Sequence, residues 1–254
     1  MAAFGRNELT VNGTRTVFYS AGDGDPLVFF HGAGTIDGFD FAERWSDRFR
    51  VIAPYHPGFG ESGDLPDLSC MHDYVMHYLE VFDALGIDRF NLVGLSMGGY
   101  LAAKFACEHS HRIKKLALIA PAGLVDAQHP ILNIFAVPGE SIPGLLVSDF
   151  EVIKKRLPAI PDAKFLAAQE REGKTAARLL EGKPGDPKMM RYLHRINVPT
   201  KIVWGEEDKI IPAQQAQAWQ KAIPGAEVKI FEGAGHLVHL ERTEAVDEIK
   251  RFLS

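Results

Sequence analysis

The sequence predicts an α/β fold, a mostly parallel sheet with flanking helices and an inserted helical lid. Three observations lead there. Short continuous apolar runs bounded by turn residues, such as LVFF at 27–30 and RVIAP at 50–54, read as strands buried on both faces. Runs with helical spacing alternate with them, which implies βαβ units and parallel neighbours. The alternation stops after Ala120 and resumes only at Thr200.

Residues 8–11 and 14–19 flank Asn12-Gly13, a hairpin signal, so the chain opens with antiparallel strands at one sheet edge. Strand 27–30 ends in His31-Gly32-Ala33-Gly34. A helix is expected over 39–49, then strand 50–54 and the loop YHPGFGESG. Helical spacing over 73–85 stops at Gly86, a natural C-cap. Strand 89–93, helix 97–108 and strand 113–119 follow. From 121 to about 195 no buried strand is evident, and Pro130, Pro138, Pro143, Pro158, Pro161, Pro184 and Pro187 separate amphipathic runs. That stretch is predicted to be the lid. The sheet pattern resumes at 200–204, then helix 213–222, strand 227–231 and helix 241–253. The expected division is a core of residues 1–120 and 196–254 with a lid at 121–195.

Composition narrows the function. With 46% apolar and 24% charged residues in a chain of 254, a substantial core is available without covalent staples. Cys70 and Cys107 make no disulfide framework, which suits the reducing cytoplasm. The start, MAAFGRNEL, shows no signal peptide, and no run of about 18 apolar residues predicts a membrane span. A formal charge of −5 with no basic block argues against nucleic acid as a partner and leaves a small-molecule substrate.

In an open parallel sheet, ligands bind beyond the carboxyl ends of the strands. Four strands deliver chemistry there: His31-Gly32-Ala33 after the first buried strand, Ser96 after FNLVG, Glu206-Glu207-Asp208 after KIVWG, and His236 after VKIFEGAG. Gly94-Leu95-Ser96-Met97-Gly98, between a strand and a helix, matches a nucleophile elbow. There a serine takes a strained turn that exposes its hydroxyl, and flanking glycines remove the Cβ atoms that would clash. A serine hydroxyl is a weak nucleophile and needs a base oriented by an acid. His236 is the expected base. Its rival His239 is expected to begin the last helix with its ring toward the core or cap region rather than the strand end. Asp208 is the expected acid, the furthest along its loop and short enough to approach an imidazole; Asp126 is the alternative supplier. A tetrahedral intermediate needs two donors at its oxyanion. The amides of Met97 and Ala33 are expected to supply them, with Gly34 as the alternative to Ala33. His31 is read as holding its loop by hydrogen bonds. The chemistry calls for no cofactor and no metal.

These residues resemble the α/β-hydrolase superfamily over essentially the whole chain. The landmarks are HGAG after a strand, HPGFGES after the next, GLSMG at the elbow, WGEED, and GAGHLVHLE near the end. The resemblance implies an eight-stranded sheet whose second strand runs antiparallel, a lid after the sixth strand, and Ser96, Asp208 and His236 as catalytic triad. Departures narrow it further. Ser96, not an aspartate, argues against dehalogenases and epoxide hydrolases. His56 stands where the family often has Asp, a change expected to touch packing more than chemistry. Leu237 stands where carbon–carbon bond hydrolases of aromatic ring-fission products often place Trp, and Thr243 where the family has Pro.

The leading expectation is a serine hydrolase acting on a small, largely apolar carboxylic ester. The alternatives are a carbon–carbon bond hydrolase of a meta-cleavage-type diketone acid, or a non-hydrolytic small-ligand receptor or lyase. For the acid substrate, Arg171, Arg178, Arg191, His194 and Arg195 are the candidate carboxylate ligands. Phe135, Leu145, Leu146, Val147, Phe150 and Phe165 are the apolar side chains from which lid packing and pocket lining are drawn.

Overall fold

Asn12 and Gly13 both take left-handed backbone (φ 48° and 78°), and the turn they make pairs Val11 with Thr14. It joins β1 (Gly5–Val11) to β2 (Thr14–Ala21), antiparallel as the hairpin signal predicts. The computed structural model describes residues 4–65, 67–180, 182 and 185–254; Pro184 and the first three residues of the opening segment lie outside them. β2 also runs antiparallel to β4 (Phe49–Pro54). β3 (Asp25–Phe30), β5 (Phe90–Leu95), β6 (Ile113–Ile119), β7 (Thr200–Gly205) and β8 (Glu227–Phe231) complete an eight-stranded sheet in the order β1-β2-β4-β3-β5-β6-β7-β8. From β4 to β8 every neighbour is parallel, so only β2 opposes the rest.

Both sheet faces are covered, which is why the central strands read as unbroken apolar runs. On β3, Val28 and Phe30 point to one core with α1 (Met71–Ala84) and α2 (Met97–His109), while Leu27 and Phe29 point to the other with the C-terminal helix. α1 stops as expected. Gly86 has φ 65°, and Ile87 N–H bonds Phe82 O at 2.8 Å, a Schellman closure. α6 (Gln215–Ala222) covers β7 and β8.

Two helices differ from the sequence expectation. Residues 39–49 do not form an α-helix; a 3-10 turn spans Asp40–Trp45 and the chain then turns into β4. The Ser46 hydroxyl donates to Glu43 O (2.8 Å), competing for the carbonyl ladder, and Trp45 Nε1 is drawn across to Val246 O at 3.0 Å. The last helix is two pieces, α7 (Val238–Glu241) and α8 (Thr243–Leu253), broken at Arg242, whose φ of −131° is not helical. His239 therefore sits in α7.

Among the described residues, no strand falls between β6 and β7 apart from an isolated bridge between Gly123 and Gly185. This stretch carries α3 (Ile142–Leu146), α4 (Phe150–Lys154), α5 (Ala163–Leu179) and several 3-10 turns. No helix among the described residues is long and apolar enough to cross a membrane.

Candidate active site

Ser96 stands between β5 and α2 with φ 53° and ψ −117°, a conformation costing about 1–3 kcal/mol for a residue with a Cβ. The surroundings compel it. Ser96 N–H donates to Ile119 O (2.9 Å), and Ser96 O accepts from Tyr100 N and Ala122 N, both at 3.0 Å. Glycine is required on either side. A Cβ on Gly98 would run into the carbonyl oxygens of Phe30 and His31, and one on Gly94 into Gly98 O and the Ala102 methyl. Strand, turn and helix are packed backbone to backbone, and Ser96 alone from Asn91 to Tyr100 escapes full burial. The α2 N-terminus beside it favours negative charge.

Asp208 and His236 meet as the sequence predicts. His236 Nδ1 lies 2.7 Å from Asp208 Oδ2, and both side chains are buried. The carboxylate is fixed from every side. Oδ1 accepts from Ile210 N and Ile211 N, both at 2.8 Å, and Oδ2 also accepts from Trp204 Nε1 at 3.1 Å. With Nδ1 committed to Asp208, Nε2 is the ring nitrogen left to exchange protons. Ser96 Oγ makes no hydrogen bond to His236 among the described residues; such bonds often tighten only with substrate bound. The alternatives fall elsewhere. Asp126 is occupied by His129 (3.0 Å), Glu206 and Glu207 are exposed, and His239 packs its ring on Phe41, 3.3 Å from Asp37.

The loop after β3 begins on two buried histidines whose tautomers follow from their partners. His31 Nε2 accepts from His56 N–H (2.9 Å), so Nδ1 carries the proton and donates to Gly32 O (2.8 Å). His56 Nε2 donates to His31 O (3.0 Å), so its Nδ1 accepts from the Tyr78 hydroxyl at 2.6 Å. Both rings are neutral, since burial drives His31 down to about 4 and His56 well below the usual imidazole range. His31 is thus a strut for the loop, and His56 fills the position of the family's usual Asp with a packed, hydrogen-bonded ring.

Ala33, Ser96 and Met97 line a small cavity together with Ile131, Phe135 and Leu180. Neither the Ala33 nor the Met97 amide has a protein acceptor among the described residues. The cavity measures about 30 Å³. None of the five candidate carboxylate ligands lines it. Arg171 is tied to Asp64, Gly60 O and Ser62 O, and Arg178 is exposed. Arg191, His194 and Arg195 border a separate groove of about 600 Å³ against Lys104 and Cys107 on α2. Of the apolar side chains singled out in 121–195, Phe135 lines the cavity, Val147 is buried and Phe150 is exposed. Among the described residues, no group of three or more His, Cys, Asp or Glu is placed to hold a metal.

Residues 27–249 match the model of the alpha/beta hydrolase family. The chain belongs to that family. It is 30% identical over 262 residues to 2-hydroxymuconate semialdehyde hydrolase of Pseudomonas sp. (strain CF600), covering 92% of this chain and 88% of that one. It is 28% identical over 260 residues to lipase 1 of Psychrobacter immobilis, covering 96% and 82%. Among solved structures, a serine hydrolase involved in carbazole degradation shares the fold, with TM-score 0.82, 22% identity and 99% of each chain covered.

Three residues of this alpha/beta hydrolase were given no role by the sequence reading. Trp204 steadies Asp208. Glu241 gathers the His236 loop and the 121–195 segment, accepting from Gly235 N (2.6 Å), Ser148 N and Asp149 N (both 2.8 Å). Both sit inside the WGEED and GAGHLVHLE landmarks, which was the available signal. Glu172 of α5 is only 3% exposed and bonds the loops after β3 and β4. No local pattern marks it.

Proposed function

We propose that this chain is a serine hydrolase of small, largely apolar carboxylic esters, working through an acyl-enzyme on Ser96. Ser96 Oγ attacks the ester carbonyl carbon while His236 Nε2 takes its proton, and Asp208 orients and stabilises the resulting imidazolium. The tetrahedral oxyanion is received by the Ala33 and Met97 amides, which make no other hydrogen bond among the described residues. Collapse breaks the C–O bond, and the departing alkoxide takes the proton from His236. Water, deprotonated by His236, then attacks the acyl carbon; collapse breaks the bond to Ser96 Oγ, which regains a proton from His236, and the carboxylic acid is released. Residues 121–195 serve as the lid. A space of about 30 Å³ is far below the roughly 300–1,000 Å³ of ordinary ligand pockets, so the lid must move for substrate to enter. Two free cysteines suit a cytoplasmic enzyme.

The observation that carries the ester reading is the lining of the Ser96 cavity. Apart from Ser96 it is aliphatic and aromatic, and among the described residues no cationic side chain lines it to receive a substrate carboxylate. The likeness to 2-hydroxymuconate semialdehyde hydrolase favours the second reading, a carbon–carbon bond hydrolase of a diketone acid using the same residues. A fluorophosphonate should modify Ser96, and p-nitrophenyl butyrate should turn over in wild type but not in Ser96→Ala. An unmodified Ser96 sinks both readings. Faster turnover of a meta-cleavage diketone acid than of any ester selects the second. Tight binding of an apolar ligand with negligible turnover points to a receptor.

A further inference from the structure

Glu172 is a buried carboxylate on the proposed lid whose hydrogen-bond partners all belong to the core. Oε2 accepts from Thr35 N (3.2 Å), while Oε1 accepts from the Thr35 hydroxyl (2.8 Å) and Gly60 N (3.0 Å). No cation bonds it. The adjacent Arg171 turns instead to Gly60 O, Ser62 O and Asp64. An unpaired carboxylate is an expensive group to bury, and desolvation holds this one above the usual carboxylate range. An apolar side chain would secure α5 to the core at lower cost.

Its placement supplies a reason. The stretch His31–Thr35 is tied at both ends, by the histidine pair where it leaves β3 and by Glu172 at Thr35. Ala33 lies between the ties with its amide unengaged among the described residues. Gly34 lies beside the carboxylate, and a Cβ on it would come 3.9 Å from Oε2. Without the Glu172 tie, Thr35 keeps among the described residues only the local turn bond that its carbonyl accepts from Gly38 N (3.2 Å), and the Ala33 amide can turn from the position an oxyanion would occupy.

We propose that Glu172 is a positioning residue for the oxyanion site: it fixes the Thr35 end of the loop and so aims the Ala33 amide, making that site complete only while α5 is closed on the core. This rests on the serine hydrolase reading above. It couples substrate enclosure to transition-state stabilisation, because opening α5 releases the loop.

The test compares wild type, Glu172→Ala, Glu172→Gln and Thr35→Val on p-nitrophenyl butyrate and against a trifluoromethyl ketone, which adds Ser96 Oγ to form a tetrahedral oxyanion. Displacing an oxyanion donor should lower kcat by about 10- to 100-fold in Glu172→Ala, with KM within about threefold. The ketone's inhibition constant should rise by the same factor as kcat falls. Glu172→Gln, which keeps one acceptor oxygen, and Thr35→Val, which keeps the amide bond, should fall between. Melting temperatures identify any variant that fails to fold, and the milder two carry the test if Glu172→Ala does. A rise in KM alone, or a ketone constant that does not follow kcat, would overturn the proposal by showing that Glu172 only holds the lid. A wild type that neither turns over ester nor reacts with fluorophosphonate overturns the hydrolase reading itself; an active wild type with an unaffected Glu172→Ala overturns only this inference.

Discussion

The elbow at Ser96 and the 121–195 segment differ in how much of their anchoring comes from backbone and how much from side chains. The elbow is fixed by backbone: amide-to-carbonyl bonds to Ile119, Tyr100 and Ala122, and carbonyls packed where a Cβ would sit. The segment has backbone bonds to the core at Leu132 and Leu146, but many of its ties are side chains reaching far across the sequence: Glu172 to Thr35 and Gly60, Arg171 to Asp64, Arg156 to Asp40, and Glu241 to Ser148 and Asp149. The elbow cannot shift without unpairing the sheet. The segment can be released one tie at a time. The proposed nucleophile thus sits on the stiff part of the molecule, and the proposed lid is fastened in large part by separable polar contacts.

Ser96→Gly probes the stiff side with the largest expected effect. Activity should drop by at least about 10⁴-fold, as for loss of any serine nucleophile. Stability should rise by about 1 kcal/mol, a few degrees in Tm, because glycine accepts φ 53° freely. Ser96→Ala should lose the activity without that gain, since it keeps a Cβ; equal melting temperatures for the two variants would deny the strain.

Acid should weaken the core next. A histidine titrates near 6.5 when unfolded, whereas burial sets folded His31 and His77 at about 4. Between those values the unfolded chain binds the extra protons. The stability these rings confer is therefore complete above about 6.5 and is lost as pH falls toward 4. From pH 7 to 5 each ring should remove about 2 kcal/mol from the urea unfolding free energy. His77→Gln, which keeps a partner for the Thr16 hydroxyl now 2.9 Å from the ring, should recover one such share. An unchanged pH slope in that variant would mean the ring is already protonated when folded.

Trp204→Phe keeps an aromatic ring, loses part of the buried indole volume and removes the donor to Asp208 Oδ2 and Ile211 O. About 1 kcal/mol of stability and a severalfold loss of kcat are expected, read by urea titration and steady-state kinetics. The smallest effect belongs to the covering. Arg156 and Asp40 make a bidentate pair at 2.8 Å, but it is partly exposed, and Arg156→Ala should change stability by less than about 1 kcal/mol with kcat unaltered. A large change in kcat there would erase the contrast between the two regions.

The same contrast explains what could be read in advance. The hairpin at Asn12-Gly13, the buried strands and the Gly94-to-Gly98 turn are local patterns, and each was legible because a short window contains its cause. The Asp208–His236 contact was legible from strand-end placement and landmark order. The helix expected over 39–49 did not form because the Ser46 hydroxyl bonds Glu43 O locally and Trp45 reaches across to Val246, a tertiary contact. Glu172 was invisible for a related reason. Within α5 it reads as one more polar residue on a charged helix, and its partners at 35 and 60 lie more than a hundred positions earlier. Ile131 and Leu180 became cavity walls through the path of a segment that local pattern does not encode.

The chamber at Ser96 has room for one or two water molecules. Its size makes turnover a matter of populations. If the closed form dominates at rest, the apparent dissociation constant of any substrate equals its intrinsic value divided by the open fraction. A substitution that loosens the covering then tightens apparent binding without adding a single contact. Acyl groups should also be sorted by bulk, because a small one lets the chamber seal around the ester linkage while a large one props it ajar to bulk solvent.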